Sequence, residues 1–244
     1  MTSTFPTSSS RAALVPRLTE LVAGLAAVEA RIAAGCHAAG RDRSEVTLLV
    51  VTKTYPASDV RLLAQLGVRD VGESRDQEAA PKAAACADLD LSWHFIGRLQ
   101  SNKARSVVRY ADVVHSVDRS SLVTALGRAA VEAGRTVRCF VQVSLDGDPQ
   151  RGGMPVDGVP QLADQIAAAQ GLQLAGVMAV APMDVKPSGA FDLLHGVSDQ
   201  LQDAHPEARA ISAGMSGDLE EALRHGATHL RVGSAVLGVR PALE

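Results

Sequence analysis

Short apolar runs alternate with amphipathic segments along most of this 244-residue chain. The first run, residues 46–51, is continuous and rich in β-branched side chains, which is typical of a strand buried on both faces of a parallel sheet. Similar runs recur up to the end of the chain. The pattern predicts strands over residues 46–51, 68–72, 92–97, 112–117, 138–145, 172–180, 210–213 and 229–236.

The segments between these runs repeat their apolar side chains at helical spacing, and a long amphipathic helix is predicted ahead of the first strand. Gly67, Gly134 and Gly226 stand where three helices should end, since glycine readily adopts the left-handed conformation found there. Pro81 is expected to interrupt an alanine-rich helix in residues 75–90. The predicted helices cover residues 14–34, 58–66, 121–133, 159–169, 191–204 and 218–225, with Ser58, Asp59 and Asp118 as candidate N-caps.

Eight strands separated by helices require parallel strands joined by right-handed crossovers. At this length the pattern predicts an α/β fold, a (β/α)8 TIM-type barrel with the first helix as an extra cover. An open doubly wound sheet is the alternative, but Lys-Thr-Tyr-Pro follows the first strand where that fold usually has a GxGxxG turn. We expect one domain over residues 11–244, after a flexible leader rich in Ser and Thr over residues 1–10.

Composition excludes several classes of protein. A net charge of -3 and an aromatic content of 3% do not favour a nucleic-acid binder, which needs basic surface and rings for stacking. No stretch of about 18 uncharged apolar residues is evident, so we predict no membrane span. The three cysteines are far apart and form no CxxC pair, which argues against disulfides and structural zinc and fits a reducing cytoplasm. We predict no metal site.

In a barrel of this type, functional groups collect at the carboxyl ends of the strands and in the loops after them. Lys53 follows the first strand, and it is one of only four lysines beside twenty arginines. An amine at the mouth of an apolar barrel is partly desolvated, which favours the neutral form that attacks an aldehyde and forms a Schiff base. From position alone, a solvated lysine paired with a carboxylate is an equal alternative.

The loops after the last two strands carry candidate phosphate ligands. Residues 212–218 read Ser-Ala-Gly-Met-Ser-Gly-Asp ahead of a helix, so small residues can expose backbone N–H groups to an anion. Gly233 allows close approach of the backbone, and Ser234 offers a hydroxyl group. These two loops form the usual phosphate site of the barrel. The plainer interpretation is that Ser216 or Asp218 only caps the helix.

A lysine amine and a phosphate site on one rim indicate a phosphorylated aldehyde as the ligand. Pyridoxal phosphate is the first candidate, and the phosphosugar of a Schiff-base aldolase is the second. Arg231 lies in the last strand, either as an ion-pair partner in the core or as a clamp on the ligand. Because a buried unpaired arginine is costly, we expect an acidic or aromatic partner for it.

Five segments together resemble the pyridoxal phosphate homeostasis proteins. They are VTKTYP (51–56), VGESRDQEA (71–79), WHFIGRLQSNK (93–103), SAGMSGDLEEAL (212–223) and HLRVGSAVLGVRP (229–241). The similarity extends from about Val46 to Pro241, and the order of the motifs makes it specific. That family resembles the barrel domain of alanine racemase but lacks the second domain of that enzyme. Ser74 stands where the family often has Asn, and Arg98 where it often has His, Pro or Gln.

The resemblance implies a non-enzymatic protein that binds pyridoxal 5'-phosphate (PLP) and acts in intracellular vitamin B6 homeostasis. It implies an internal aldimine on the lysine, a phosphate held by the two loops, and an arginine against the pyridine nitrogen. A cationic arginine disfavours protonation of that nitrogen and weakens the ring as an electron sink, which suits a carrier. The implied cofactor-binding residues are Lys53, Ser212, Met215, Ser216, Arg231, Gly233 and Ser234.

The alternative is a single-domain, PLP-dependent amino-acid racemase. Racemisation needs an acid-base group on each face of the cofactor, and the related racemase takes one of them, a tyrosine, from its second domain. We expect no such domain here, and Tyr55 is too near Lys53 to be an obvious substitute. We therefore expect a cytoplasmic monomer whose partners are PLP and PLP-dependent apo-enzymes that receive it.

Overall fold

In the computed structural model, which describes residues 8–148, 151–182 and 186–238, eight parallel strands close into a barrel. Each strand pairs with the next one in sequence, and β8 returns to β1. This confirms the predicted (β/α)8 barrel and excludes the open doubly wound sheet. The strands are β1 (Thr47–Val51), β2 (Asp70–Glu73), β3 (Ser92–Phe95), β4 (Val113–Val117), β5 (Val137–Gln142), β6 (Leu172–Met178), β7 (Ala210–Ser212) and β8 (His229–Val232).

Helices connect the strands and cover the outside of the barrel, as the alternating pattern predicts. The extra N-terminal helix, α1 (Ser8–Ala38), begins inside the segment predicted as a leader, whose residues 1–7 lie outside the described part of the chain. The other helices are α2 (Ala57–Gln65), α3 (Asp76–Ala85), α4 (Ala104–Val107), α5 (Ser120–Ala133), α6 (Val159–Ala168), α7 (Pro187–Ala204), α8 (Leu219–Arg224) and α9 (Ser234–Leu237).

The strands are buried on both faces because helices cover them outside and side chains fill the barrel inside. All five residues of β4 are buried. The outer core joins the strands to helical residues such as Leu63 and Leu126, which are fully buried. Val113, Phe140 and Met178 come from three neighbouring strands and form a separate apolar cluster, which we assign to the barrel interior.

Some local predictions were wrong. Strand β8 ends four residues earlier than predicted, because Gly233 turns the chain and the apolar residues after it form the helical turn α9. Asp118 does not cap α5 but forms an ion pair with Arg119. Pro81 lies inside α3 without ending it, so the alanine-rich segment is helical on both sides of the proline.

Helix α1 covers the barrel where its first and last strands meet. Gly24 approaches α9 so closely that a Cβ atom there would lie 2.3 Å from the carbonyl oxygen of Val236. Arg17 donates to the Leu237 carbonyl at 3.1 Å and to the Asp59 carboxylate at 2.7 Å. Asp59, predicted as a helix cap, is therefore an ion-pair partner that ties α2 to α1.

Part of α1, Val15–Ala38, is long and apolar enough to fit a membrane span, with a mean hydropathy of 1.3, where the sequence analysis predicted none. In the fold this helix packs one face on the barrel, and Val28 and Ile32 are at most 1% exposed. Arg31 pairs with Glu220 of α8 at 2.7 Å. A helix that buries one face in this way is an ordinary cover of a globular core.

Candidate functional site

A cleft of about 750 Å³ opens at the carboxyl-terminal end of the barrel. Its walls come from strand ends and the loops after them, and its volume is within the range of small-molecule sites. Ser212 does not line it, because this residue is fully buried at the end of β7. The other residues implied by the family resemblance line the cleft together: Lys53, Met215, Ser216, Arg231, Gly233 and Ser234.

Lys53 lies in the turn after β1 and is exposed on the cleft wall. Since β1 ends two residues before the lysine, the side chain projects from a turn and is exposed, and it is not buried in the barrel mouth. The turn is strained, since Thr54 has a φ of 68°, which is unfavourable for a β-branched residue. Thr54 N–H donates to Glu78 Oε2 at 3.1 Å, and Lys82 Nζ donates to the Thr52 carbonyl at 2.8 Å. These bonds constrain the backbone that presents the amine.

The loops after β7 and β8 meet at the cleft, as the strand order predicts. The Oγ atoms of Ser216 and Ser234 lie 3.5 Å apart, so a small anion can contact both hydroxyl groups. At Gly233 a Cβ atom would lie 3.2 Å from a carbonyl oxygen of β1. The Asp218 side chain does not cap α8; its carboxylate accepts the Met215 N–H at 2.6 Å and so folds the loop.

Arg231 is only 5% exposed, yet it reaches the cleft. Its guanidinium donates to Ser212 Oγ and to the Ala179 carbonyl, each at 2.7 Å. The prediction of an acidic or aromatic partner was wrong, since the guanidinium donates to two neutral oxygen atoms. Burial lowers the pKa of Arg231 to about 10, and the charge of Asp218 acts in the opposite direction. The group therefore stays cationic at neutral pH.

Several residues of the cleft had no role assigned from the sequence. Tyr55 donates its hydroxyl proton to the Gly238 carbonyl at 2.8 Å. At Gly97 a Cβ atom would lie 2.0 Å from the Ser74 carbonyl oxygen, so the loops after β2 and β3 touch only because this residue is glycine. Applying the strand-end rule to every strand would have found these residues, which are Tyr55, Ser74, Ile96, Gly97 and Val180.

Two histidines of the barrel interior connect to this site. His94 of β3 is 1% exposed and contacts His115 of β4. His115 lies 2.8 Å from Ser212 Oγ. Ser212 is therefore hydrogen-bonded between Arg231 and His115, behind the wall of the cleft.

A second cleft of about 690 Å³ adjoins the first, and both include Ser74. Its lining is basic and includes Arg98, Lys103 and Arg119. Arg119 donates to the Leu99 carbonyl at 2.7 Å, so its guanidinium is part of the local structure. Lys103 gives this cleft an amine of its own, which makes it a useful comparison for Lys53.

Known proteins are similar to this chain over most of its length. The family described as alanine racemase, N-terminal domain, matches residues 25–241. The chain is 46% identical over 243 residues to the pyridoxal phosphate homeostasis protein of Mycobacterium tuberculosis, covering 92% of this chain and 94% of that one. It is 36% identical to the protein of the same name from Pseudomonas aeruginosa, covering 91% and 97% of the two chains.

Solved structures share the barrel. PipY of Synechococcus elongatus with PLP bound matches with a TM-score of 0.74 and 37% identity, covering 80% of this chain and 93% of PipY. Alanine racemase from Streptomyces lavendulae is 22% identical with a TM-score of 0.66, and the match covers 89% of this chain and 58% of that enzyme. The likeness to the racemase is one of fold alone.

Proposed function

Since this chain belongs to the family of pyridoxal phosphate homeostasis proteins, we propose that it binds PLP in the cleft and takes part in intracellular PLP homeostasis. One observation carries the proposal. A lysine after β1, hydroxyl groups in the loops after β7 and β8, and a buried cation on β8 all line the same cleft. An aldehyde, a phosphate and a pyridine nitrogen are the groups that such a set accommodates.

Lys53 holds the PLP aldehyde as a Schiff base, which forms with loss of water. The amine is exposed to the cleft, and among the residues that the structure describes no carboxylate pairs with it. Strand β1 pairs directly with β8, where Leu49 lies opposite Arg231. The guanidinium therefore comes from β8 and the amine from the turn after the neighbouring strand, and both line the cleft in which we place the ring.

The phosphate lies between the loops after β7 and β8, where Ser216 and Ser234 bring their hydroxyl groups within 3.5 Å of each other. Gly233 leaves room there because it has no side chain. Met215 lines the same loop, but its N–H already donates to Asp218. We therefore assign the phosphate contacts to the two serines and Gly233, and not to the Met215 backbone.

Arg231 favours the holding of PLP over the turnover of amino acids. Its pKa of about 10 keeps it cationic at neutral pH, and a cation beside the pyridine nitrogen disfavours protonation of the ring. An unprotonated ring withdraws electrons weakly, so carbanions formed on it are poorly stabilised. A carrier benefits from this restraint.

The proposal is tested by titrating the purified protein with PLP and reducing the product with borohydride. We expect a visible absorption band that disappears on reduction, with the reduced label on Lys53. Lys53→Ala should lack the band, whereas Lys103→Ala, the matched control from the neighbouring cleft, should keep it. A protein that stays colourless would favour a phosphosugar ligand, and a band that persists in Lys53→Ala would refute the site.

A PLP-dependent racemase is the second candidate, favoured by the barrel shared with alanine racemases. Racemisation needs an acid-base group on each face of the cofactor. Tyr55 lines the cleft, but the Gly238 carbonyl already accepts its hydroxyl proton. We therefore favour a protein that binds PLP over one that racemises amino acids. Interconversion of L- and D-alanine by the PLP-loaded protein at roughly 1 s⁻¹ or faster, the range of ordinary enzymes, would support the racemase instead.

The protein is further proposed to act as a cytoplasmic monomer that delivers PLP to PLP-dependent apo-enzymes. Its three cysteines, Cys36, Cys86 and Cys139, are free and buried, which fits a reducing compartment. Light scattering of the loaded protein tests the monomer. Mixing it with an apo-aminotransferase should transfer the absorption band and restore aminotransferase activity; delivery no faster than from free PLP would contradict a carrier role.

A further inference from the structure

A line of hydrogen bonds crosses the barrel interior from Arg231 to the opposite end of the barrel. Arg231 Nη1 donates to Ser212 Oγ at 2.7 Å, and that oxygen lies 2.8 Å from His115 Nδ1. His115 Nε2 lies 2.9 Å from His94 Nδ1, and His94 Nε2 lies 3.0 Å from an Asp70 carboxylate oxygen. Asp70 begins β2, whereas the cleft lies beyond the strand ends.

The two ends of this line decide which atom donates at each step, because arginine only donates and an ionised carboxylate only accepts. Ser212 Oγ accepts from Arg231 and keeps a proton that it can donate to His115 Nδ1. His115 then donates from Nε2 to His94, which donates from Nε2 to Asp70. With one proton on each ring, the opposite order would place two acceptors face to face at Asp70, so all bonds point away from Arg231.

The surroundings of His115 also favour its neutral form. The ring is fully buried, and burial lowers its pKa well below the usual value, with His94 and Arg231 acting in the same direction. Phe140 stacks on the ring with centroids 4.5 Å apart, and His229 meets it edge-on at 6.2 Å. No water-exposed face remains through which a charge on His115 would be solvated.

We propose that Ser212, His115, His94 and Asp70 are positioning residues that orient Arg231 toward the pyridine nitrogen. The inference rests on the proposed PLP site. Two N–H groups of the guanidinium are already directed, one to Ser212 and one to a backbone carbonyl, so its plane is set before a ligand binds. The line of hydrogen bonds connects the partly exposed Asp70 carboxylate at one end of the barrel to the Arg231 guanidinium at the other.

The line is tested first by nitrogen NMR of the histidine side chains in the PLP-free protein. We expect His115 and His94 to carry their protons on Nε2. Asp70→Ala leaves only the Ser92 hydroxyl beside His94, which can donate or accept, so both rings should become mixtures of tautomers. Asp88→Ala, which removes a surface carboxylate paired with an arginine, should change neither ring. A wild-type proton on His115 Nδ1 would overturn the inference.

The second test measures the affinity and visible spectrum of bound PLP. Ser212→Ala should weaken PLP binding roughly tenfold and shift the absorption maximum, because the guanidinium loses a hydrogen-bond partner. Ser116→Ala is the matched control, since this buried serine next to His115 has no hydrogen-bond partner among the described residues. Asp70→Ala should also shift the absorption maximum, although Asp70 lies far from the cleft. Because Asp70 is partly exposed and Ser212 is fully buried, the Asp70 substitution should disturb folding less.

The outcomes separate this inference from the proposed function. Wild-type affinity and spectrum in both Ser212→Ala and Asp70→Ala would overturn the positioning role while leaving the PLP site in place. A wild-type protein that binds no PLP would overturn the proposed function and the positioning role together. In either case the tautomers of His115 and His94 in the PLP-free protein report on the hydrogen-bonded line itself.

Discussion

Replacing Lys82 by methionine removes the cation from a buried ion pair beneath the turn that carries Lys53. Glu73 is fully buried and Lys82 is 8% exposed, with Lys82 Nζ against Glu73 Oε1. Thr52 Oγ1 donates to the same carboxylate oxygen at 2.6 Å, while Glu73 Oε2 has no hydrogen-bond partner among the described residues. The variant keeps most of the apolar stem but leaves a carboxylate with one donor.

Removing one partner of a buried pair costs about 3–5 kcal/mol. The loss should be near the upper value, because the carboxylate of Glu73 keeps only the Thr52 hydroxyl as a donor and its other oxygen has no partner among the described residues.

Urea denaturation at neutral pH measures this loss. Lys82→Met should lower the free energy of unfolding by about 4 kcal/mol. The double variant Lys82→Met/Glu73→Gln should recover most of it, because no charge is left buried. A loss below about 1 kcal/mol, or a double variant as unstable as the single one, would refute the reasoning.

Burial lowers the pKa of His229 to about 4, so between the unfolded value near 6.5 and this value the unfolded chain binds a proton that the folded protein excludes. His229 should therefore leave the free energy of unfolding unaffected above pH 6.5 and lower it by about 2 kcal/mol at pH 5. Urea denaturation over this pH range should show a smaller loss of stability for His229→Gln than for the wild type. An equal pH dependence in both proteins would count against the buried, neutral histidine. Gly196→Ala, in the exposed middle of α7 with open space around the added methyl, should raise the free energy of unfolding by about 0.5–1 kcal/mol in thermal melts. Gly176→Ala should lower it by more than about 3 kcal/mol, because the new Cβ would lie 1.9 Å from the Ala210 carbonyl oxygen, and a stable Gly176→Ala protein would be inconsistent with this packing.

The barrel was predictable because burial on both faces leaves a mark in the sequence. The apolar run of β1 was placed within one residue, and the glycine after α5 ends that helix in the left-handed conformation, with Gly134 at φ 62°. The extent of β8 was not predictable, since the apolar residues after Gly233 suit a strand or a helical turn equally well. The prediction of Asp59 as a helix cap was wrong because its carboxylate forms an ion pair with Arg17 of another helix.

The candidate site was predictable only as far as the strand-end rule reaches. It brought Lys53, Ser216 and Ser234 to one rim from three separate segments, and the structure has them lining one cleft. The buried position of Ser212 and its contact with His115 depend on the stagger of neighbouring strands inside the barrel, which sequence periodicity does not specify. The burial of Arg231 between two neutral oxygens depends on the same register.

The pairing of β8 with β1 joins the two ends of the sheet, and it alone makes Lys53 a neighbour of Gly233. A chain that is still being synthesised, or a barrel in which β8 has separated from β1, therefore has no site for a ligand that contacts both strands. Such a ligand adds about 2.7 kcal/mol to the closed form at a hundred times its dissociation constant. The supply of vitamin B6 would then determine how often β8 separates from β1. It would thereby also determine how long each molecule resists proteolysis.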